Sequence, residues 1–396
     1  MKFALFDEPI IRQQLLPFTY TRPIAEIRWG ILTITEKWEK VLESKASFIT
    51  QDYLSAKFPP PDSSEGLLLV NGAITPDAQL LEAIMALNLG DCLHKDENII
   101  AAKVSEFISL EQLKELTRIE YLAEYRKLER TWHIFKDAGH QIKEDFKQIT
   151  LGKVSQKISD EHTKVYNESN IFIEEGVIIK AAVLDADNGP IYLGHNSTIE
   201  AGAIIKGPFS LGKGSTINGL AHMRGDISIG PDCKVGGEVS NSIIFGNSNK
   251  GHDGFMGNSV LGEWCNIGAG TNTSNLKNNY AKVKVWDFSK GGFINTGEQF
   301  CGLMMGDHSK SGIGTMFNTG TTIGVAANIF GSGFPRTFIP SFSWGGHAGF
   351  TTFNLIKVKQ MAEVSMARRN HKFDETEESI LKQIFSDSAT YRNWEI

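Results

Sequence analysis

One histidine stands in a setting suited to proton transfer. His252 lies in Phe245-Gly246-Asn247-Ser248-Asn249-Lys250-Gly251-His252-Asp253-Gly254-Phe255-Met256, a run of Gly, Asn and Ser that interrupts an otherwise regular pattern. An imidazole titrates near working pH, so it can take a proton from an amine as that amine attacks a thioester. By base rate a lone histidine in a turn is a solvated surface residue, so the surrounding elements must decide between the two readings. The four cysteines, Cys92, Cys233, Cys265 and Cys301, stand far apart, with neither metal-ligand spacing nor the density of a disulfide framework. No metal is implied for chemistry at His252, and a reducing compartment fits.

The pattern that His252 interrupts has a period of six. Leu193, Ile199, Ile205, Leu211, Ile217, Met223, Ile229 and Val235 are all aliphatic or Met, and glycine follows at Gly194, Gly212, Gly230 and Gly236. With 41% of residues hydrophobic, eight positions chosen blindly would all be so about once in a thousand draws. Neither a strand's period of two nor a helix's 3.6 generates this ladder. It suits a β-solenoid with three short strands per coil, aliphatic side chains inside and Gly or Asn at the corners. The register breaks at 185–189 and after Val239, then resumes at Leu261 and Ile267 and later at Ile323 and Ile329. Such breaks are expected to be loops leaving the coil, where function often sits.

A chain of 396 residues has room for two or three domains. With 40 Lys+Arg, 46 Asp+Glu and a net charge of −6, it lacks the basic footprint of a nucleic-acid or anionic-membrane binder. The opening Met1-Lys2-Phe3-Ala4-Leu5-Phe6-Asp7-Glu8 turns acidic before any apolar stretch of signal length, and nothing later is long enough to span a bilayer; the expected location is cytoplasmic. Residues 1–110 read as a mixed α/β domain with strands near 3–6 and 67–70, a helix near 31–42 and a surface loop at Pro59-Pro60-Pro61-Asp62-Ser63-Ser64. Residues 111–165 read as a helical bridge on Leu113, Leu116, Ile119 and Leu122. The solenoid takes 166–353. Two helices in 354–396, the second capped by Asp374, are expected to cover the open end of the coil.

Beyond His252 follow Gly257, Gly262, Asn266-Ile267-Gly268-Ala269-Gly270-Thr271 and Asn275. In that order and spacing the solenoid resembles the acetyltransferase half of the bifunctional N-acetylglucosamine-1-phosphate uridylyltransferase and glucosamine-1-phosphate acetyltransferase family, built on a left-handed parallel β-helix of hexapeptide repeats. The resemblance implies that His252 is the general base and that Arg224, Asn266, Asn275 and Lys282 contact an amino-sugar phosphate. It also implies that Ala269, Thr296 and Arg336 meet acetyl-CoA or another acyl-CoA, and that the chain forms a homotrimer. Lys282 is one residue out of register. Ser240 stands where the family has a second lysine, and Phe255 where it has the tyrosine after the histidine.

The N-terminal half resembles the same family more faintly. Leu15-Leu16-Pro17-Phe18-Thr19-Tyr20-Thr21-Arg22-Pro23, Gly30-Ile31-Leu32 and Leu67-Leu68-Leu69-Val70-Asn71-Gly72 are similar to the opening of a sugar-phosphate nucleotidyltransferase. This implies nucleotide binding by Arg12, Arg22, Arg28, Asn71 and Gly72, with Mg²⁺ needed only where nucleotidyl transfer operates. The Gly-rich loop is absent from Asp7-Glu8-Pro9-Ile10-Ile11-Arg12, and Ala73 replaces the metal-binding Asp, so the domain is expected to be degenerate. The function implied is a bifunctional sugar-phosphate transferase using a sugar phosphate, acyl-CoA and, at the first domain, a nucleoside triphosphate, with no nucleic acid or membrane partner. Two alternatives stay open: a nucleotidyltransferase whose solenoid only oligomerises or regulates, and a non-catalytic scaffold derived from such an enzyme.

Overall fold

The computed structural model describes residues 2–62, 66–106 and 108–395, so Ser63 and Ser64 of the expected loop lie outside the described residues. The chain divides into two compact units. One comprises Met1–Leu15, Thr21–Ile27 and Leu32–Arg130; the other comprises Leu16–Tyr20, Arg28–Ile31 and Thr131–Ile396.

In the first unit, apolar runs separated by turn residues build a six-stranded sheet of order β2-β1-β3-β5-β4-β6. Its strands are β1 (Lys2–Phe6), β2 (Ala46–Ile49), β3 (Leu67–Asn71), β4 (Asp91–Lys95), β5 (Asn98–Val104) and β6 (Thr117–Glu120). β1 runs parallel to β2 and β3, whereas β5 is antiparallel to β3 and β4. β3 is buried along its whole length and β1 from Phe3 onward, as befits parallel strands covered on both faces. Three helices accompany them: α1 (Pro9–Gln14), α2 (Ile34–Leu42) and α3 (Ala78–Met85). A capping box between Thr33 and Glu36 fixes the start of α2.

The helix expected at Leu113 to Leu122 does not form. Gln112–Glu115 is one 3₁₀ turn, and β6 joins the sheet as an edge strand parallel to β4. Four apolar positions at three-residue spacing are met equally by a turn followed by a strand, and pairing with β4 decides between them. Leu113 is buried, but Ile119 and Leu122 are exposed. Through β6 the first unit reaches Arg130, past residue 110.

The second unit opens with α4 (Thr131–Lys136) and α5 (Ala138–Thr150). Three sheets of eight, nine and ten strands follow, which the chain visits in rotation. The first face starts at Lys164–Tyr166, the second at Ile171–Ile173 and the third at Ile178–Ile179; α4 and α5 pack on strands of the second. All eight ladder residues from Leu193 to Val235 are at most 1% exposed. Leu193 pairs with Leu211, and Leu211 with Ile229, so three six-residue steps close one coil. The fold is a left-handed parallel β-helix.

After Val239 the chain does not leave the coil. Val239, Ile244, Lys250, Met256, Leu261 and Ile267 continue the interior column, each at most 4% exposed. Two features hid this: corners shortened by a residue or two, and a lysine at an interior position. The true excursion is residues 276–302, which carry an antiparallel hairpin of Lys284–Asp287 and Gly292–Asn295. At the far end, Gly349–Thr352 pairs antiparallel with Ser343–Gly346 and closes the third face.

Two helices complete the chain, α6 (Leu355–Ala367) and α7 (Glu375–Asp387). α7 packs Phe385 against Phe342 of the last coil, with ring centroids 4.9 Å apart. α6 does not cover the end. It lies along the third face, where Ser365 reaches Lys310, and Arg369, just past the helix, reaches Asn249. Among the described residues no helix is long and apolar enough to cross a membrane.

Two short N-terminal segments are built into this unit. The Trp29 indole N–H donates to the His133 carbonyl at 3.2 Å, the Ile31 N–H to Asp145 at 2.8 Å, and the Ser228 hydroxyl to the Gly30 carbonyl at 2.5 Å. Phe18 packs on Phe245, with ring centroids 5.3 Å apart.

Candidate functional site

His252 occupies the corner between the third and first faces, joining strands Asn249–Lys250 and Phe255–Gly257. Its side chain is exposed, while its backbone is held firmly. Lys250 Nζ donates to the His252 carbonyl at 2.7 Å and to the Gly236 carbonyl of the preceding coil at 3.0 Å. The Asn218 amide donates to the Gly251 carbonyl at 2.7 Å, the Gly270 N–H to the Asp253 carbonyl at 2.9 Å, and the Phe255 N–H to Asn272 Oδ1 at 2.9 Å. An interior ammonium thus fixes the corner that presents the imidazole.

Beside this corner the third face lacks side chains. Gly236, Gly251, Gly268 and Gly312 stack on successive coils, since the Gly236 N–H donates to the Lys250 carbonyl and the Gly268 N–H to the Ser311 carbonyl. A Cβ at Gly268 would press on the Gly312 backbone. The next corner, Gly268-Ala269-Gly270, places Ala269 one coil from His252; its carbonyl accepts from the Gly314 N–H at 2.8 Å. A Cβ at Gly314 would meet nothing within 4 Å, so an extended ligand can approach the backbone closely here.

The other residues implied by the resemblance divide between two faces. Arg224 is exposed at the edge of the first face and ion-paired with Glu238 at 2.7 Å, and Glu238 pairs in register with Phe255. Asn275 sits at the root of the excursion, its amide on Asn258 Oδ1 at 2.7 Å. Asn266 opens a strand of the third face, with Asn249 and Lys310 as its register neighbours. Lys282 and Arg336 are exposed on the excursion and in the loop after Phe330. Thr296 is spent structurally: it is buried at the base of the hairpin, and its hydroxyl donates to the Val283 carbonyl at 2.8 Å. A polar residue in a two-stranded arm closes the arm's own hydrogen bonds first.

Lys250 is the residue of this corner that sequence reasoning missed. Burial pushes its pKa down to about 8 from 10.5, opposed by nearby Asp253. At 1.4 kcal/mol per pKa unit, carrying the charge inside costs about 3 kcal/mol at neutral pH. Lys250→Met removes that cost but leaves two carbonyls without their donor, so a gain of about 1–2 kcal/mol is expected at pH 7. The folded pKa lies below the unfolded one, so between pH 8 and 10.5 the unfolded chain holds more protons and wild-type stability rises with pH. The variant's urea-unfolding free energy should stay flat across that window. A Lys250→Met protein less stable than wild type at pH 7 would contradict this account.

In the first unit the chain turns from β1 to β2 on one side and returns to β3 on the other, the switch point where open α/β sheets bind ligands. Here the chain fills that place itself. Asp7, just past β1, accepts the Ile24 N–H at 2.7 Å, Arg12 at 2.7 Å and the Thr50 hydroxyl at 2.5 Å. Burial raises the Asp7 pKa against the lowering by Arg12. Arg12 also donates to the Arg22 carbonyl at 3.1 Å, and both arginines are buried. A Cβ on Gly72 would crowd Ala25 and the Phe6 carbonyl. Asn71 spends its amide on the Ile99 carbonyl and the Ala73 N–H. Arg28, expected with this set, lies instead in the second unit, where its guanidinium donates to the Phe245 carbonyl at 3.1 Å and to the Ile31 carbonyl. The residues at the end of β3 do not fit Mg²⁺, because Ala73 offers no carboxylate. Among the described residues no cluster of three or more His, Cys, Asp or Glu is placed to hold a metal.

Residues 3–154 match the sugar nucleotidyl transferase family. The sugar nucleotidyl transferase match runs through the whole first sheet and on through α4 and α5. Over 93 residues the chain is 37% identical to a bifunctional sugar-1-phosphate nucleotidylyltransferase/acetyltransferase of Sulfurisphaera tokodaii, covering 24% of this chain and 23% of that protein. Over 87 residues it is 38% identical to the bifunctional protein GlmU of Methanocaldococcus jannaschii, covering 22% of this chain and 21% of that protein. The chain therefore spans less than a quarter of either relative. Among solved structures, the polySia-specific acetyltransferase NeuO overlays with a TM-score of 0.27 at 15% identity, over 49% of this chain and 86% of that one. UDP-N-acetylglucosamine acyltransferase of Arabidopsis gives 0.24 at 11%, over 58% and 90%. Overlays this loose say nothing about chemistry.

Proposed function

We propose that this protein is a sugar-phosphate transferase whose β-helix moves an acyl group from acyl-CoA to the amine of an amino-sugar phosphate. The observation that carries this reading is the exposed His252 imidazole on a pinned corner beside a strip of glycines. The acceptor nitrogen attacks the thioester carbonyl carbon as His252 takes the amine proton. Collapse of the tetrahedral adduct breaks the C–S bond, and the imidazolium returns its proton to the departing CoA thiolate. Arg224, Asn275 and Lys282 would hold the acceptor from the first-face side and Asn266 from the third. The glycine strip and Ala269 would take the acyl-CoA arm, with Arg336 reaching its phosphates. The acetyl transfer named for the Sulfurisphaera relative agrees with this reading.

A homotrimer in the cytoplasm completes the proposal. The first face supports trimer packing by turning Ile204 and Met316 outward at 38% and 37% exposure. A second reading places the activity in nucleotidyl transfer, favoured by the family match over residues 3–154; the committed Arg12 and the self-filled switch point weigh against it. The deciding assay offers acetyl-CoA with a panel of amino-sugar phosphates and follows release of free CoA. Release that depends on the acceptor is expected. Pyrophosphate release from a nucleoside triphosphate and a sugar 1-phosphate, without any thioester consumption, would replace acyl transfer by the second reading.

A further inference from the structure

Cations gather on the third face, where its short strands begin. A cavity of about 580 Å³ lies between that face and the segment that ends α6. The coils bring Lys234 and Lys310 to it, and the end of the helix brings Arg368 and Arg369; Asp232 is the one carboxylate on its lining. Arg369 is engaged, donating to the Asp232 carbonyl at 2.8 Å and to Asn249 Oδ1 at 2.7 Å. The other three cations are not ion-paired to any described residue. Lys310 is the most telling. It is partly buried, among the described residues Nζ reaches only the Ser365 hydroxyl at 3.4 Å, and burial lowers its pKa, opposed by Cys265 rather than by a carboxylate.

Keeping an ammonium out of water without a carboxylate is costly unless an anion arrives from elsewhere. A single phosphate carries about two negative charges near neutral pH, so three unpaired cations around one cavity suit a longer anion. Arg368 can bridge two of its oxygens, and the lysines can act as point charges. We propose that this cavity binds the diphosphate group of a small-molecule ligand. The cavity shares Asn266 with the acceptor side of the proposed acyl transfer but uses neither His252 nor the first unit, so anion binding here can be tested apart from acyl transfer.

Inorganic pyrophosphate is the probe, titrated calorimetrically into the full chain, with ADP and CoA as separate arms to tell a nucleotide source from an acyl carrier. Binding in the micromolar to low millimolar range is expected, together with a rise in the melting temperature. Lys310→Met and Arg368→Ala should each weaken it at least tenfold, whereas His252→Ala should leave it unchanged. Arg368 is exposed, so its variant keeps the test valid where Lys310→Met folds poorly. No heat at millimolar pyrophosphate, equal affinity in Arg368→Ala, or sulfate binding as tightly as pyrophosphate would overturn the proposal.

Discussion

His252→Ala should lower kcat/KM for acyl transfer by about 10²–10⁴-fold while leaving the folded state unchanged within about 0.5 kcal/mol. The two halves of this expectation come from one geometry. The side chain is exposed, and the corner is held through main-chain atoms by Lys250, Asn218 and Gly270. Removing the imidazole therefore deletes a base and little else. Added imidazole should restore part of the variant's rate, because it supplies the missing base. Equal turnover in wild type and variant would remove His252 from the chemistry.

Gly230→Ala should destabilise the β-helix by about 3 kcal/mol or more, whereas Gly314→Ala should cost about 1 kcal/mol. Strands of successive coils lie about 4.8 Å apart, and at Gly230 the next coil presses directly on the backbone. A Cβ there would run into the Phe245 carbonyl and stand 3.0 Å from Arg28 Nε. Neither partner can give way easily, because the Gly230 N–H donates to the Ile244 carbonyl at 2.7 Å and Arg28 donates to that same Phe245 carbonyl. Gly314 has a φ of +69° with open space around it, so only backbone strain is added. Denaturant midpoints of the two variants separate the effects, and equal losses would refute the steric account.

The β-helix was legible because its interior repeats: from Leu193 to Val235 one chemical class recurs at one interval. The same rule failed at Lys250, whose side chain occupies an aliphatic slot by donating to two carbonyls, so the segment holding His252 looked like an ejected loop. His252 itself was visible through its neighbours in sequence, from Gly257 to Asn275. That Asn266 faces a different side of the prism from Arg224 was not, because corners shortened around Val239 change which face a given count reaches. Lys310 and Arg368 meet only because α6 turns back along the coil, and no local pattern announces that. In the first unit, β6 took a helix-like spacing because a partner strand was waiting for it. Arg28 left its expected companions because its neighbour Trp29 is buried in the second unit.

The threading of residues 16–20 and 28–31 into the second unit bears on how this protein can be dissected. A protease nick at Arg130 would leave the larger fragment lacking part of its own interior, with the places of Phe18 and Trp29 empty. The halves should then stay associated after cleavage until denaturant parts them, and a gene truncated at that point should yield an unstable fragment that peptides spanning residues 16–31 can rescue.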